Sequence, residues 1–313
     1  MISQNHVPVL AFLFALLGFA ATSRADQLPV TRVTFHAPSV AREMAFNIIL
    51  PAGYDKNEKH YPVLYLLHGR KGDENYWVDL GAPKNASAYE MIVVMPSALP
   101  SWYVNWSASS EGQKNAWENY IVKDLIGYVD AHYRTIAARE GRAIGGKSMG
   151  GYGALILGLR NPDSFCSVSC IAGGLSFIDL LRDHLNGKGR DPLFLTGEVP
   201  IGKRELAENT PRGRMVSDLD DCDAIDPFKV VLEVPREQLP DIRIDCGLDD
   251  GLLDYSQRFA RLLMEAGISF TFVQAPGAHT PEYGAYALRH TMPHQYAVMM
   301  NQLGKRDGNG VSR

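Results

Sequence analysis

Residues Gly145-Gly146-Lys147-Ser148-Met149-Gly150-Gly151 constrain this chain more than any other stretch. The apolar run Arg142-Ala143-Ile144 enters it, and a helix-like run from Tyr152 to Arg160 leaves it. Gly146-x-Ser148-x-Gly150 matches G-x-S-x-G, a sharp strand-to-helix turn that holds a serine at its apex. Such a turn presses two backbones together, so its flanking positions must lack a Cβ. The hydroxyl then stands clear of the sheet, and the next amide sits at a helix N-terminus, where negative charge is stabilised. The same pentapeptide also arises by chance in a chain with 29 glycines. The serine therefore has to be judged by whether the rest of the chain supplies its partners.

With 313 residues, 46% apolar and 21% charged, the chain can bury one large α/β core or two small ones. Its formal charge of −4, without a basic block, argues against nucleic acid as a partner. Val9 to Ala21 is apolar but too short to span a bilayer, and Ser23-Arg24-Ala25 follows with small residues. Residues 1–25 therefore read as a signal peptide, which implies export to the periplasm or medium and no stable membrane span after cleavage. The segment before the apolar run has His6 but no Lys or Arg, so an uncleaved anchor is the alternative.

Export raises the question of disulfides. Cys166 and Cys170 fall in one expected strand, where a four-residue offset is about 13 Å and cannot be bridged. Cys222 and Cys246 could pair, and free buried thiols are an equal alternative. No Cys/His spacing suggests a metal, and no cofactor is expected.

Taken in order, Thr31–His36 and Met44–Leu50 read as strands. Tyr61–Leu67 is a continuous apolar run ending in His68-Gly69, the pattern of a strand buried on both faces. Met91–Met95 is a second such run. Trp117 to Tyr133 carries Trp117, Tyr120, Ile121, Leu125, Tyr128 and Val129 on a 3.6-residue stripe, which predicts an amphipathic helix. Further strands are expected at Phe165–Ala172, Ile242–Cys246 and Ser269–Gln274, and helices at Phe177–Leu185, Leu252–Ala266 and within Tyr283–Leu303. Residues 176–240 read as an excursion, a possible lid, over the strand ends, and 304–313 as a disordered tail. Alternating β and α without an interdomain linker predicts one domain over 26–303, a doubly wound, mostly parallel sheet with helices on both faces. In such sheets ligands bind beyond the carboxyl ends of the strands.

A serine nucleophile needs a base, and in this topology the acid and then the histidine follow it in sequence. His184, His279, His290 and His294 follow Ser148. His279 stands directly after the last strand, where the base belongs. The spacing of His290 and His294 hints at a metal pair without a third ligand, so packing or exposure suits them better. Asp245-Cys246-Gly247-Leu248-Asp249-Asp250 closes the preceding strand. Asp250 is the favoured orienting acid, with Asp249 as runner-up, since either could instead be an N-cap. The two oxyanion donors are expected to be the amides of Met149 and of Arg70, in the loop after the early buried strand. Trp102, Tyr103, Trp106 and Trp117 could line a substrate pocket or pack in the core. Asp218, Asp220, Asp221 and Asp223 lack the glycine and glutamate of a calcium loop.

As a set, Leu66-Leu67-His68-Gly69, Met95-Pro96-Ser97, Gly146-Lys147-Ser148-Met149-Gly150-Gly151, Gly247-x-x-Asp250 and Gly277-Ala278-His279 resemble the putative-esterase family of α/β-hydrolases. That group contains esterase D (S-formylglutathione hydrolase), tributyrin, feruloyl and acetyl-xylan esterases, and the mycolyltransferases. The resemblance runs from about Phe46 to about Met300. It implies an α/β-hydrolase fold with Ser148 as nucleophile, Asp250 as acid, His279 as base and the Arg70 and Met149 amides as oxyanion donors. Esterase D-like enzymes resemble one another in a Thr-Cys-Thr segment where this chain has Arg70-Lys71-Gly72-Asp73, which weakens glutathione thioesters as substrate. Many relatives place tryptophan after the histidine, whereas Thr280-Pro281 follows here.

The expectation is an exported serine esterase acting on small acyl or carbohydrate-linked esters. The alternatives are an acyltransferase using a sugar or other alcohol in place of water, a thioesterase like S-formylglutathione hydrolase, and a non-catalytic binder on the same scaffold. Oligomeric state is not legible. Lys147, beside the serine, has no role in any of these readings.

Overall fold

Five consecutive apolar residues, Val63–Leu67, are buried on both sides of the sheet they lie in. Leu64 and Leu66 pack on one face with Val93, Ala143 and Met292. Val63, Tyr65 and Leu67 pack on the other with Ile144, Tyr152 and Trp117. The two-residue alternation of a strand puts successive side chains on opposite faces, so an unbroken apolar run requires cover on both.

The computed structural model describes residues 27–109, 114–188, 211 and 213–309. The expected leader at 1–25 lies outside them, as do 189–210 of the excursion and the last four residues. The strands are β1 (Val30–Ala37), β2 (Arg42–Ile49), β3 (Val63–Leu67), β4 (Ile92–Pro96), β5 (Ala108–Ser109), β6 (Arg142–Lys147), β7 (Ser167–Ile171), β8 (Gly213–Arg214), β9 (Asp241–Gly247) and β10 (Thr271–Ala275). Eight form one sheet in the order β1-β2-β4-β3-β6-β7-β9-β10. β1–β2 and β2–β4 are antiparallel, and every other pairing in that sheet is parallel. This is the doubly wound, mostly parallel α/β-hydrolase sheet. The elbow strand β6 lies near its centre, flanked by β3 and β7.

The helix Met149–Arg160 leaves the elbow buried on all sides but its last residue. Beside it runs Trp117–His132, which widens into a π-helical stretch at Tyr120–Leu125 rather than forming one regular α-helix. The expected stripe is nonetheless its core face, with Trp117, Tyr120, Ile121, Leu125 and Val129 buried. The opposite face of the sheet is covered by the C-terminal helix Pro281–Asn309. That helix includes residues 304–309, expected to belong to a disordered tail. Extending an existing helix fixes one residue per hydrogen bond, so polar residues can prolong it without a buried face.

All four cysteines are free and buried, so Cys222 and Cys246 are not paired. Among the described residues of the excursion, the helices Phe177–Leu185, Leu219–Ala224 and Pro227–Glu233 are tied to the body. Arg182 bridges Asp223 and Asp226 at 2.7 Å each. The Tyr152 hydroxyl, on the elbow helix, donates to the Ile225 carbonyl at 2.8 Å. Asp218 caps the Leu219–Ala224 helix by accepting the Asp221 amide at 2.9 Å, which gives that acidic run a structural job.

Candidate active site

Ser148 sits between β6 and the elbow helix with φ 60° and ψ −121°, a conformation that costs a non-glycine residue about 1–3 kcal/mol. Three backbone hydrogen bonds hold it there. Its amide donates to Ile171 at 3.0 Å, and its carbonyl accepts Tyr152 at 3.0 Å and Gly174 at 2.9 Å. The turn is tight enough that a Cβ on Gly150 would lie 2.2 Å from the Leu67 carbonyl oxygen. This is why the motif demands glycine there.

The loops after β9 and β10 bring an acid and a base to the same place. His279 Nε2 lies 2.9 Å from Ser148 Oγ, and His279 Nδ1 lies 2.8 Å from Asp250 Oδ2. The two loops are stitched by the Asp249 amide, which donates to the Gly277 carbonyl at 2.9 Å. The Asp249 side chain points to solvent, whereas that of Asp250 is buried. Asp250 also accepts the Leu252 amide at 2.9 Å through its other oxygen. Neither aspartate caps the helix that follows, which begins after Leu252 without a side-chain cap. Burial disfavours the Asp250 charge, but the His279 hydrogen bond, the Leu252 amide and the charge of Lys147 outweigh it and hold its pKa below the ordinary carboxylate value.

The loop after β3 forms the facing wall. A Cβ on Gly69 would lie 3.4 Å from Ser148 Cβ, so this backbone passes directly over the serine. Arg70 follows it, and Met149 is the first residue of the elbow helix, whose leading amides have no intrahelical acceptor. The loop is fixed from beneath by His68, which is fully buried. Its Nε2 accepts the Ala98 amide at 2.9 Å, so the proton resides on Nδ1, which donates to the Gly69 carbonyl at 2.7 Å. Burial lowers the His68 pKa and so favours this neutral ring. Trp77 Nε1 donates to the Leu67 carbonyl and the Tyr103 hydroxyl to the His68 carbonyl, each at 2.9 Å. The sequence places His68-Gly69-Arg70 in the expected oxyanion loop but assigns the His68 ring no role of its own. The polar ring placed after five core residues was the available signal.

A cleft of ≈ 480 Å³ opens over the serine, lined by Gly69, Arg70, Lys71, Gly72 and Tyr76 on one side and by Lys147, Ser148, His279 and Pro281 on the other. None of the four aromatic residues from 102 to 117 lines it. Trp102, Tyr103 and Trp117 are core residues, with Trp102 stacked on Phe177 at 3.6 Å between ring centroids. His294 pairs with Asp241 at 2.7 Å, well away from the serine in sequence and sheet position, and His290 is exposed. Among the described residues no group of three or more His, Cys, Asp or Glu is placed to hold a metal. Nor is any described helix long and apolar enough to cross a membrane.

The family described as "Putative esterase" matches residues 37–258. Esterase Rv1288 of Mycobacterium tuberculosis is 29% identical over 256 residues, which cover 78% of this chain. The chain spans only about half of that relative, 54% of its length. An acetyl esterase of Caldicellulosiruptor saccharolyticus is 24% identical over 264 residues, 80% of this chain and 92% of that one. Among solved structures, a ferulic acid esterase superposes with a TM-score of 0.66 at 26% identity, covering 87% of this chain and 100% of its own. The Staphylococcus aureus serine hydrolase FphF shares the fold, with a TM-score of 0.69 at 20% identity over 87% of this chain and 99% of its own. The elbow, the strand order and the matched span together place the chain in the Putative esterase family of α/β-hydrolases.

Proposed function

We propose that this protein is an exported serine esterase that hydrolyses carboxylic esters through an acyl-enzyme. The observation that carries the reading is the unbroken chain from Asp250 through His279 to Ser148, at 2.8 and 2.9 Å, opening on a cleft. In the first half-reaction Ser148 Oγ attacks the acyl carbon while its proton passes to His279 Nε2. The carbonyl oxygen gains the negative charge and is met by the amides of Met149 and Arg70. The intermediate collapses, the ester C–O bond breaks, and the leaving alkoxide takes the proton from His279. Water then attacks the acyl carbon, gives its proton to His279, and releases the acid as the proton returns to Ser148. Asp250, buried and ionised, keeps the Nδ1 proton in place and stabilises the imidazolium formed in each half.

Small acyl esters and acyl groups on carbohydrate are the proposed substrates, in keeping with relatives named as acetyl and ferulic acid esterases. The apolar run Val9 to Ala21, followed by Ser23-Arg24-Ala25, supports export. The test is labelling with a fluorophosphonate followed by peptide mass spectrometry, beside an ester panel of increasing acyl length that includes methyl ferulate and acetylated sugars. An adduct on Ser148 with release of free acid supports the reading. Turnover undiminished in Ser148→Ala would overturn it.

A further inference from the structure

Lys147 lies next to the nucleophile in the strand, yet its side chain is buried, with 3% exposure. Its stem runs against the start of the C-terminal helix, where a Cβ on Gly284 would meet Lys147 Cδ at 3.0 Å. No hydrogen bond or ion pair reaches its ammonium among the described residues. The nearby acid groups are committed elsewhere. Asp250 bonds His279 and the Leu252 amide, and Glu282 is fully exposed and bonds Thr280. The nitrogen is not among the fully buried polar atoms left without a partner, so the stem is buried while the charged head reaches the open cleft.

Lys147 lines the cleft over Ser148 together with Arg70 and Lys71, and none of the nine lining residues is acidic. Three acids flank the lining residues in sequence: Glu282, next to Pro281, is exposed, bonds Thr280 and adds its charge near Lys147, and the other two are engaged by neighbouring groups. Glu74 pairs with Arg32 at 2.7 Å, and Asp73 accepts the Asn75 amide at 2.8 Å. Low-dielectric walls that carry charge of one sign concentrate the opposite charge in the cleft between them. Resting on the esterase reading above, we infer that the cleft selects esters carrying a second, anionic group, a carboxylate that seats on the Lys147 ammonium with Arg70 and Lys71 at the rim. Such a group gives the ammonium a charge-assisted hydrogen bond about twice as strong as a neutral one. A lysine placed only to neutralise Asp250 would confer no such preference.

The test compares matched esters in which a methyl group replaces the carboxylate, with acid release followed by titration. Monoethyl adipate against ethyl hexanoate places the charge on the acyl side, and 4-acetoxybutanoate against butyl acetate places it on the alcohol side. In the wild-type enzyme the charged member of at least one pair should have the higher kcat/KM by about 10-fold or more. The pair that shows it identifies the side. Lys147→Met should bring that ratio to within about 3-fold of unity, and Lys71→Glu should lower it in the same direction. Equal or slower turnover of both charged esters by the wild type overturns the inference, whether or not the variants fold. So does a ratio unchanged in Lys147→Met. If Ser148 takes the fluorophosphonate and the neutral esters are cleaved without preference for charge, only this inference fails. If there is neither adduct nor turnover, the esterase reading fails and this one with it.

Discussion

His68 Nε2 accepts the backbone amide of Ala98 at 2.9 Å, tying the loop over Ser148 to the segment that follows the neighbouring strand β4. Because the ring is fully buried and bonded at both nitrogens, its neutral tautomer acts as a rigid spacer beneath Gly69. Replacing it by alanine leaves an amide and a carbonyl without partners, each costing about 1–3 kcal/mol. His68→Ala should lower the melting temperature clearly and reduce kcat by about 10-fold or more, since a small displacement of an oxyanion donor is expensive. Thermal unfolding and steady-state kinetics check both. Unchanged kcat in a folded variant would separate His68 from the alignment of the loop.

Asp250 and Asp249 should behave oppositely. Asp250→Asn is expected to cut kcat by about 10⁴-fold, because the amide cannot hold His279 in the required tautomer. Asp249→Asn should stay within about 3-fold of wild type, since only its backbone amide is engaged. Equal losses in the two variants would contradict the division seen in the structure.

The same carboxylate sets an acid limit on stability. Its folded pKa lies below the ordinary 3.8, so its contribution is fully present above pH 3.8 and is lost as pH falls through the depressed value. Denaturant titrations between pH 5 and about pH 2 should show a steeper fall for wild type than for Asp250→Asn. Parallel profiles would count against the stabilised carboxylate.

Glycines at two positions predict opposite signs. A Cβ on Gly150 would lie 2.2 Å from the Leu67 oxygen and 2.6 Å from that of His68, both backbone atoms. Gly150→Ala should cost more than about 4 kcal/mol or yield no folded protein. Gly127, inside the helix Ile126–His132, has nothing within 4 Å of its virtual Cβ. Gly127→Ala should stabilise by about 0.5–1 kcal/mol, read as a higher melting temperature.

Lys147→Met should also stabilise the fold. Burial depresses the lysine pKa more than Asp250, Cys246 and Glu282 raise it, so its charge is worse off in the native state than in water. A methionine of similar length is expected to add about 1–2 kcal/mol at neutral pH. For wild type, the unfolded chain holds more protons between the depressed value and 10.5, so stability should rise with pH across that interval. The variant should lose that rise, a difference that unfolding curves at pH 7 and about pH 10 would register.

Much of the molecule was already legible in the residues. The apolar runs Tyr61–Leu67 and Met91–Met95 required a covered, mostly parallel sheet, because both pleat faces had to be hidden. The glycines around Ser148 left one tight turn available, and the order of His279 after the acid loop narrowed the base. These are local facts, carried by spacing and by the presence or absence of a Cβ. What depended on the approach of distant segments was decided only by the fold. Asp249 and Asp250 are adjacent acids in sequence, and the stitching of Asp249 to Gly277 is what turns one outward and the other toward His279. The aromatic residues from 102 to 117 could have lined a pocket or filled the core, and in the fold Trp102, Tyr103 and Trp117 are buried, the first two against Tyr152 and Gly153 of the elbow helix. Lys147 reads as an ordinary charged residue beside a serine. Its burial against the C-terminal helix, which begins 134 residues later, exists only once β6 and that helix pack together.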